Sequence, residues 1–298
     1  MKIIVTGAKG QLGRDLVRLL SGEVIGVGHN ELDITDFDAV QRFVKQHQPN
    51  FVINAAAYNK VDQAEDEPDV AYSANALGPR NLAMACESVG ATLVHVSTDY
   101  VFGRDVIRLT PFTEIDAPAP ASAYGVSKLA GEHFAQANCR RHFVVRTCGV
   151  YGHAARDGAG KGNFVETMIK LGEKLGKLSV INDQFCTPTS SSDLANAIIS
   201  LLKTSEYGLY HFTNDGRTTW YDFACEIFAL QRMKVKVQPI PTSDYPTRAR
   251  RPGFSLLDCS RFELATGQPV NPWQNALENY LTERNQMMSI ETCELAST

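Results

Sequence analysis

The opening dozen residues constrain this chain more than any other feature. An apolar run, Lys2–Thr6, stops at Gly7, and the chain then reads Gly7-Ala-Lys-Gly10-Gln-Leu-Gly13 into an apolar stripe at 12, 16, 19 and 20. A buried strand, a glycine turn and an amphipathic helix in that order form the first unit of a doubly wound α/β fold. Glycines let the backbone approach a pyrophosphate, and the helix N-terminus behind them offers N–H groups and partial positive charge. The G-x-x-G-x-x-G spacing alone is weak support for a ligand, because a bare tight turn also uses glycine. Its place between strand and helix gives it weight, and Gly7, Gly10 and Gly13 are read as a dinucleotide cradle.

The alternation continues. Strands are expected at Val24–Val27, Phe51–Asn54, Thr92–Ser97 and Phe143–Thr147, with helices at Asp36–Gln46, Ala71–Val89 and Lys128–Ala137 between them. Helical crossovers between short apolar strands mean a parallel sheet with helices on both faces. The second half is less regular. It reads as a loop over 153–163, a helix over Phe164–Leu175, a strand over Ser179–Ile181, an extended proline-rich stretch from Pro239 to Pro252, and a helix over Pro272–Leu281. The expectation is a Rossmann lobe over 1–151 and about 178–205, with the strand near Ile181 rejoining its sheet. A smaller interleaved substrate lobe takes about 152–177 and 206–284, and the tail 285–298 is read as frayed.

Composition removes several function classes. At 298 residues the chain can bury a full core, and its net charge of −4 argues against nucleic-acid binding. The seven cysteines are odd in number and include no C-x-x-C, so neither a disulfide framework nor a zinc knuckle is expected, and a reducing compartment fits. The histidines show no H-x-x-x-H spacing, and no metal site is read from the residues. No targeting segment and no run long enough to span a bilayer is present, so the chain is read as soluble and cytoplasmic, with no membrane partner.

The chemistry lies at the carboxyl ends of the strands, where this fold binds ligands. Ser97-Thr98-Asp99-Tyr100 closes the fourth strand, and Tyr124-Gly-Val-Ser-Lys128 opens the next helix. A spacing of four puts Tyr124 and Lys128 on one helix face. Tyrosine and lysine at that spacing are commonly mere surface neighbours, but a hydroxyl at Thr98 and the glycine turn make them a specific set. The second strand ends in Gly28-His29-Asn30, which carries neither the carboxylate that favours NAD nor the arginine that favours NADP. The coenzyme choice therefore stays open, with Asp33 as an adenine-side candidate.

These residues resemble the extended short-chain dehydrogenase/reductases. Further segments are similar to the dTDP-4-dehydrorhamnose reductase family: Asn54-Ala-Ala-Ala-Tyr58, Val61-Asp-Gln-Ala-Glu65, Asn75 to Ala83, Asp183-Gln-Phe185, Gly208 to Asn214, Arg251-Pro252 and Trp273-Gln274. The resemblance implies reduction of the C4 ketone of dTDP-4-dehydro-L-rhamnose to dTDP-L-rhamnose by NADPH or NADH. Tyr124 would donate the proton, Lys128 would supply a cation to tune it and bind the ribose, and Thr98 would orient the carbonyl. It places Gly10, Gln11 and Leu12 at the pyrophosphate, Asp33 and Ile34 at the adenine, and Ala57, Tyr58 and Asn59 along the cofactor. Val61, Thr98 and Asp99 lie towards the substrate. It also admits a homodimer and a magnesium ion whose ligands the sequence does not place.

Three departures bear on specificity. Gly149 stands where the family commonly has a tryptophan, which implies a gap beside the sugar. Asn59 replaces a usual threonine, and Cys186-Thr187 replaces Gly-Ala, which is expected to shift that loop. These departures admit a reductase of another nucleotide-linked 4-keto-sugar. They also admit a non-catalytic relative like the regulatory subunit of methionine adenosyltransferase. An epimerase or dehydratase would use the same cofactor site, but Asp99-Tyr100 lacks the Asp-Glu pair of the dehydratases. Arg248, Arg250 and Arg251 are candidates for a substrate diphosphate, with a solvated surface cluster as the equal alternative. Ala159-Gly-Lys-Gly-Asn163 lacks the Walker pattern and is read as a loop at the substrate mouth. Trp220 and Trp273 are read as core.

Overall fold

The strand and helix signals build a six-stranded parallel sheet with helices on both faces. The structure, a computed structural model, describes residues 1–105, 108–156 and 162–295. Its elements in chain order begin β1 (Lys2–Thr6), α1 (Gln11–Leu19), β2 (Glu23–Val27), α2 (Phe37–His47) and β3 (Phe51–Asn54). There follow α3 (Pro68–Tyr72), α4 (Gly78–Val89), β4 (Thr92–Thr98), α5 (Ala123–Asn138) and β5 (His142–Thr147). The second half holds α6 (Phe164–Leu175), β6 (Lys177–Ile181), β7 (Phe185–Cys186), α7 (Ser191–Leu201) and β8 (Gly208–His211). It closes with β9 (Thr218–Thr219), α8 (Trp220–Leu230), β10 (Lys236–Ile240), α9 (Ser260–Thr266) and α10 (Trp273–Leu295).

The main sheet runs β2-β1-β3-β4-β5-β8, all parallel. Its central strands are apolar runs because both faces are covered. Ile3, Val5, Ile53, Val94 and Phe143 pack beneath Leu16 of α1, Leu194 and Ile198 of α7 and Phe262 of α9. Ile4, Val52, Leu93 and Val144 pack on the other face against Val40 and Val44 of α2, Leu82 of α4 and Ala135 of α5. A second core joins Val165 and Ile169 of α6, Val180 of β6, Phe223 and Ile227 of α8, and Leu277 of α10.

Two expectations change. The strand near Ile181 does not rejoin the cofactor sheet; β6 pairs in parallel with β10 in a small sheet of the second core. The sixth strand of the main sheet is β8, which lies against β5. β6 alternates exposed Lys177 and Ser179 with buried Leu178 and Val180, the pattern of a sheet covered on one face, whereas the central strands of the main sheet are covered on both. The segment from Asn285, expected to fray, continues α10 to Leu295. It contains no glycine or proline, and the turn before it is held by Glu166 of α6, which takes Tyr280 Oη and Arg284 Nε at 2.7 Å each.

Candidate active site

Thr98, Tyr124 and Lys128 meet at the carboxyl end of β4. Ser122 caps α5 by accepting the Gly125 N–H at 3.1 Å, which starts the helix just before Tyr124. The phenol is half-buried, stands edge-on to Tyr100 at 5.5 Å between ring centroids, and shares a hydrogen bond with the Thr98 hydroxyl. Burial pushes its pKa up to about 12, against the pull of Thr98. One helical turn on, Lys128 is buried and donates from Nζ to the Val96 carbonyl at 2.6 Å. Burial brings its pKa down to about 8, opposed by the Glu132 carboxylate. The sequence reading gave Lys128 the task of tuning Tyr124. Here its ammonium is turned to a backbone carbonyl of β4, and Thr98 is the hydrogen-bonding group on the phenol.

Asp99, expected towards the substrate, is buried beside Thr98. It is 3 % exposed, accepts from Thr98 Oγ1 at 3.1 Å, and shares hydrogen bonds with Ser255 and Cys148. Burial raises its pKa and those hydrogen bonds hold it down. It positions Thr98 from beneath, and Thr98 Oγ1 in turn accepts the Tyr100 N–H at 3.2 Å. Beneath Lys128, Glu132 and Arg146 form a buried two-pronged ion pair at 2.9 and 2.7 Å, and Ser97 Oγ donates to Glu132 at 2.5 Å. No sequence signal pointed to this pair, because its partners sit on a helix and a strand that only the fold brings together.

At the carboxyl ends of β1–β3 lies a cleft of 400 Å³, lined by Gly7, Gly10, Gln11, Ala57 and Asn59 among others. An adjoining cleft of 620 Å³ is lined by Asp33, Ile34, Ala57 and Tyr58. The cradle suits a dinucleotide. No side chain caps α1 at Gly10, and a Cβ on Gly7 would sit 2.6 Å from the Ala55–Ala56 backbone. Gly13 serves the helix packing instead, since its Cβ would meet the Gly7 carbonyl at 2.1 Å, and Leu12 sends its side chain into the core. Asp33 is engaged by Thr35, whose N–H and hydroxyl reach Oδ1 at 2.9 and 2.8 Å. Tyr58 is fixed from behind by Asn75 and Glu67.

On the far side, Val61 is half-buried next to Asp62, which holds Arg251 at 2.7 Å. Arg251 also donates to Tyr100 Oη at 3.1 Å, so it ties the proline-rich loop to the segment that follows β4. Arg248 pairs with Asp66. Arg250 is exposed, and all three arginines line a cleft of 540 Å³. Of the loop Ala159–Asn163, residues 159–161 lie outside the described residues. Among the described residues, no cluster of three or more His, Cys, Asp or Glu is arranged to hold a metal ion. No helix among them is long and apolar enough to cross a membrane.

Comparison with known proteins supplies the family. The model of the RmlD substrate binding domain matches residues 1–286. The chain belongs to the RmlD substrate binding domain family. It is 39% identical to the dTDP-4-dehydrorhamnose reductase of Aggregatibacter actinomycetemcomitans, with 93% of this chain and 97% of that protein covered. A crystal structure of a dTDP-4-dehydrorhamnose reductase from Clostridium acetobutylicum superposes with a TM-score of 0.91 at 44% identity, covering 96% of this chain and 100% of that one. The Bacillus anthracis dTDP-4-dehydrorhamnose reductase in complex with NADP gives 0.90 at 41% identity, covering 95% and 99%.

Two of the three departures have a structural account. Gly149 leaves no gap. The indole of Trp220 fills it, and a Cβ on Gly149 would lie 2.9 Å from Trp220 Cη2 and 3.4 Å from Pro188 Cα. Trp220 is half-buried and leans on Phe164, so it is a wall of this region as much as a core residue. Cys186 sits in β7, whose two-residue pairing with β9 accepts a side chain without a left-handed φ. Its thiol shares a hydrogen bond with Cys148, which also reaches Asp99. Thr187 anchors the same segment through Oγ1 to the Gly216 carbonyl at 2.5 Å. Asn59 is exposed and lines the glycine-turn cleft, and nothing in the structure explains its replacing threonine.

Proposed function

We propose that this protein is a dTDP-4-dehydrorhamnose reductase, reducing the C4 ketone of dTDP-4-dehydro-L-rhamnose to the alcohol of dTDP-L-rhamnose with NADPH or NADH. The supporting observation is the Thr98–Tyr124–Lys128 set at the same carboxyl edge of the sheet as a glycine-lined cleft, in a chain of the RmlD family. A bound reduced nicotinamide supplies the hydride. Gly7, Gly10, Gln11 and the N–H groups of Leu12 and Gly13 would hold the pyrophosphate, and Asp33, Ile34, Ala57, Tyr58 and Asn59 the rest of the dinucleotide. Tyr124 gives its phenolic proton to the ketone oxygen, and its raised pKa keeps that proton in place at neutral pH. Thr98, held by Asp99, orients the oxygen. Lys128 carries positive charge below pH 8 at a site that must hold an anionic cofactor. Val61, Trp220 beside Gly149, and Arg251 bound the substrate side.

The test is a turnover assay with purified protein, the 4-keto-sugar nucleotide and each coenzyme, followed by loss of reduced-nicotinamide absorbance. Loss with at least one coenzyme is expected, and none with either refutes the assignment. Turnover only on other nucleotide-linked 4-keto-sugars would keep the reaction and change the sugar, which is where Trp220 replaces the wall usual in the family.

A further inference from the structure

The spacing of Tyr124 and Lys128 repeats once more. Glu132 follows Lys128 by four residues, so the three side chains lie in one row on α5. Glu132 is 1 % exposed and reaches no ligand itself. Three donors converge on its carboxylate: Ser97 Oγ at 2.5 Å and Arg146 Nε at 2.9 Å on Oε1, and Arg146 Nη2 at 2.7 Å on Oε2. Arg146 is fixed in turn. Its guanidinium lies over the Phe102 ring at 5.1 Å, and Nη1 meets His211 Nε2 at 3.4 Å. The Phe112 carbonyl, 3.0 Å from His211 Nδ1, can only accept, so Nδ1 carries the proton and Nε2 accepts from Arg146.

A buried ion pair is weak evidence of stability, because well-packed apolar side chains of the same volume commonly do as well or better. What this pair offers is a fixed anion one helical turn from Lys128. Lys128 is 2 % exposed, and its Nζ bonds the Val96 carbonyl, which is a dipole and not a charge. Of the groups around it, β4 contributes His95, held neutral by burial and by the lysine itself. β8 contributes His211, pushed down to about 3 by burial and by Arg146. Asp99, after β4, is occupied by Thr98, Ser255 and Cys148, and Tyr124 keeps its proton up to about 12. Glu65, Asp69, Arg80 and Glu87, on the other segments packed against α5, are exposed or half-buried, where water and salt screen them. Among the described residues that leaves Glu132 as the buried counter-charge of Lys128, and it opposes the loss of the proton that burial favours.

We propose that Glu132, aligned by Arg146 and Ser97, is a positioning residue for the reduction: the fixed anion that keeps Lys128 charged one turn from Tyr124. It acts only through the lysine. The strand residues Ser97 and Arg146 hold the carboxylate in place, so the charge of the catalytic lysine is set by the packing of α5 on β4 and β5. The assignment rests on the reductase reading given above.

The test is the pH dependence of kcat/KM for the coenzyme between about pH 6 and 10, which reports groups of the free enzyme. In wild type the value should fall as pH passes about 8. Loss of a nearby opposite charge lowers a lysine's pKa by about 1 unit or more, so in Glu132→Gln the fall should come about 1 pH unit lower. At about pH 9 that is roughly a tenfold loss against wild type, and at about pH 6 the loss from this source should vanish. Glu132→Asp keeps the charge and should restore the wild-type profile. Because Glu132→Gln strands Arg146 and weakens the fold, Glu132→Leu/Arg146→Met is measured as well; it strands no charge, and its profile should also move to lower pH. A pair that is merely structural would lower kcat/KM alike at every pH and leave the fall near 8 in both variants. That result, or a Glu132→Asp profile displaced as far as that of Glu132→Gln, overturns the assignment. Wild-type protein that turns over no 4-keto-sugar nucleotide overturns the reductase reading instead.

Discussion

Replacing Gly149 by alanine adds one methyl group at a backbone position with φ +51°, and that methyl would lie 2.9 Å from Trp220 Cη2. Two costs follow. A left-handed conformation with a Cβ costs about 1–2 kcal/mol. Forcing the indole edge aside is an overpacking cost of about 1–3 kcal/mol, because Trp220 is backed by Phe164 and Gly149 by Pro188. Together the substitution should destabilise by roughly 2–5 kcal/mol, which lowers Tm by roughly 5–10 °C in a chain of this size. The two costs separate in a double-mutant cycle. Trp220→Phe removes the ring that carries Cη2 but leaves φ alone, so in that background Gly149→Ala should cost only about 1–2 kcal/mol. Thermal and guanidinium unfolding of the four proteins gives the coupling, expected at about 1–3 kcal/mol. Costs that add to within about 0.5 kcal/mol would refute the claim that the indole occupies the space at Gly149. In the same series, KM for the sugar nucleotide should change more than KM for the coenzyme.

Three other outcomes are expected. Tyr124→Phe should lower kcat by about a hundredfold or more while leaving the NADPH Kd nearly unchanged by fluorescence titration; full activity would remove its role as proton donor. Glu132→Gln strands buried Arg146 and should cost about 3–5 kcal/mol in guanidinium unfolding, with the paired change Glu132→Leu/Arg146→Met costing less; equal losses would show that the charge pairing is not what matters. Burial lowers Lys128 from 10.5 to about 8 in the folded chain, so between those values the unfolded chain binds the extra proton and stability should rise with pH. Activity that needs the ammonium should instead fall as pH passes about 8, and Lys128→Met should abolish the rise in stability; a rise that survives in Lys128→Met refutes this origin.

The first half of the molecule was legible because β1 and β3–β5 are buried on both faces, which leaves mostly apolar runs ended at Gly7, Asn54, Thr98 or Thr147. Their helices carry their own punctuation, such as Asp36 capping α2 through the Ala39 N–H and Gly90 ending α4 with a left-handed φ. The fold of the second half was harder to read because strand partners lie far apart in sequence. β8 is four residues long, and the partner of β6 is β10, which follows only after α7, β8 and α8. The site divides the same way. Thr98, Tyr124 and Lys128 were found by local spacing and strand-end position. The burial of Asp99, the indole at Gly149 and the arginine beneath Lys128 depend on contacts between separate elements. Gly149 shows this most clearly: a missing side chain reads as empty space in a sequence, whereas in the packed molecule a neighbour moved in.

The late arrival of β8 sets a condition on how the chain is made. Until Gly208–His211 is synthesised, the Phe143–Arg146 stretch of β5 presents bare N–H and C=O groups along the rim of the sheet, next to apolar side chains. At ribosomal speeds of about 5–20 residues per second, that rim stays open for several seconds. An open hydrophobic edge is a template for pairing with another chain. A nascent chain released anywhere between Tyr151 and Tyr207 should therefore enter aggregates rather than persist as a free nucleotide-binding fragment, and the full-length chain should fold with higher yield when nascent chains are dilute.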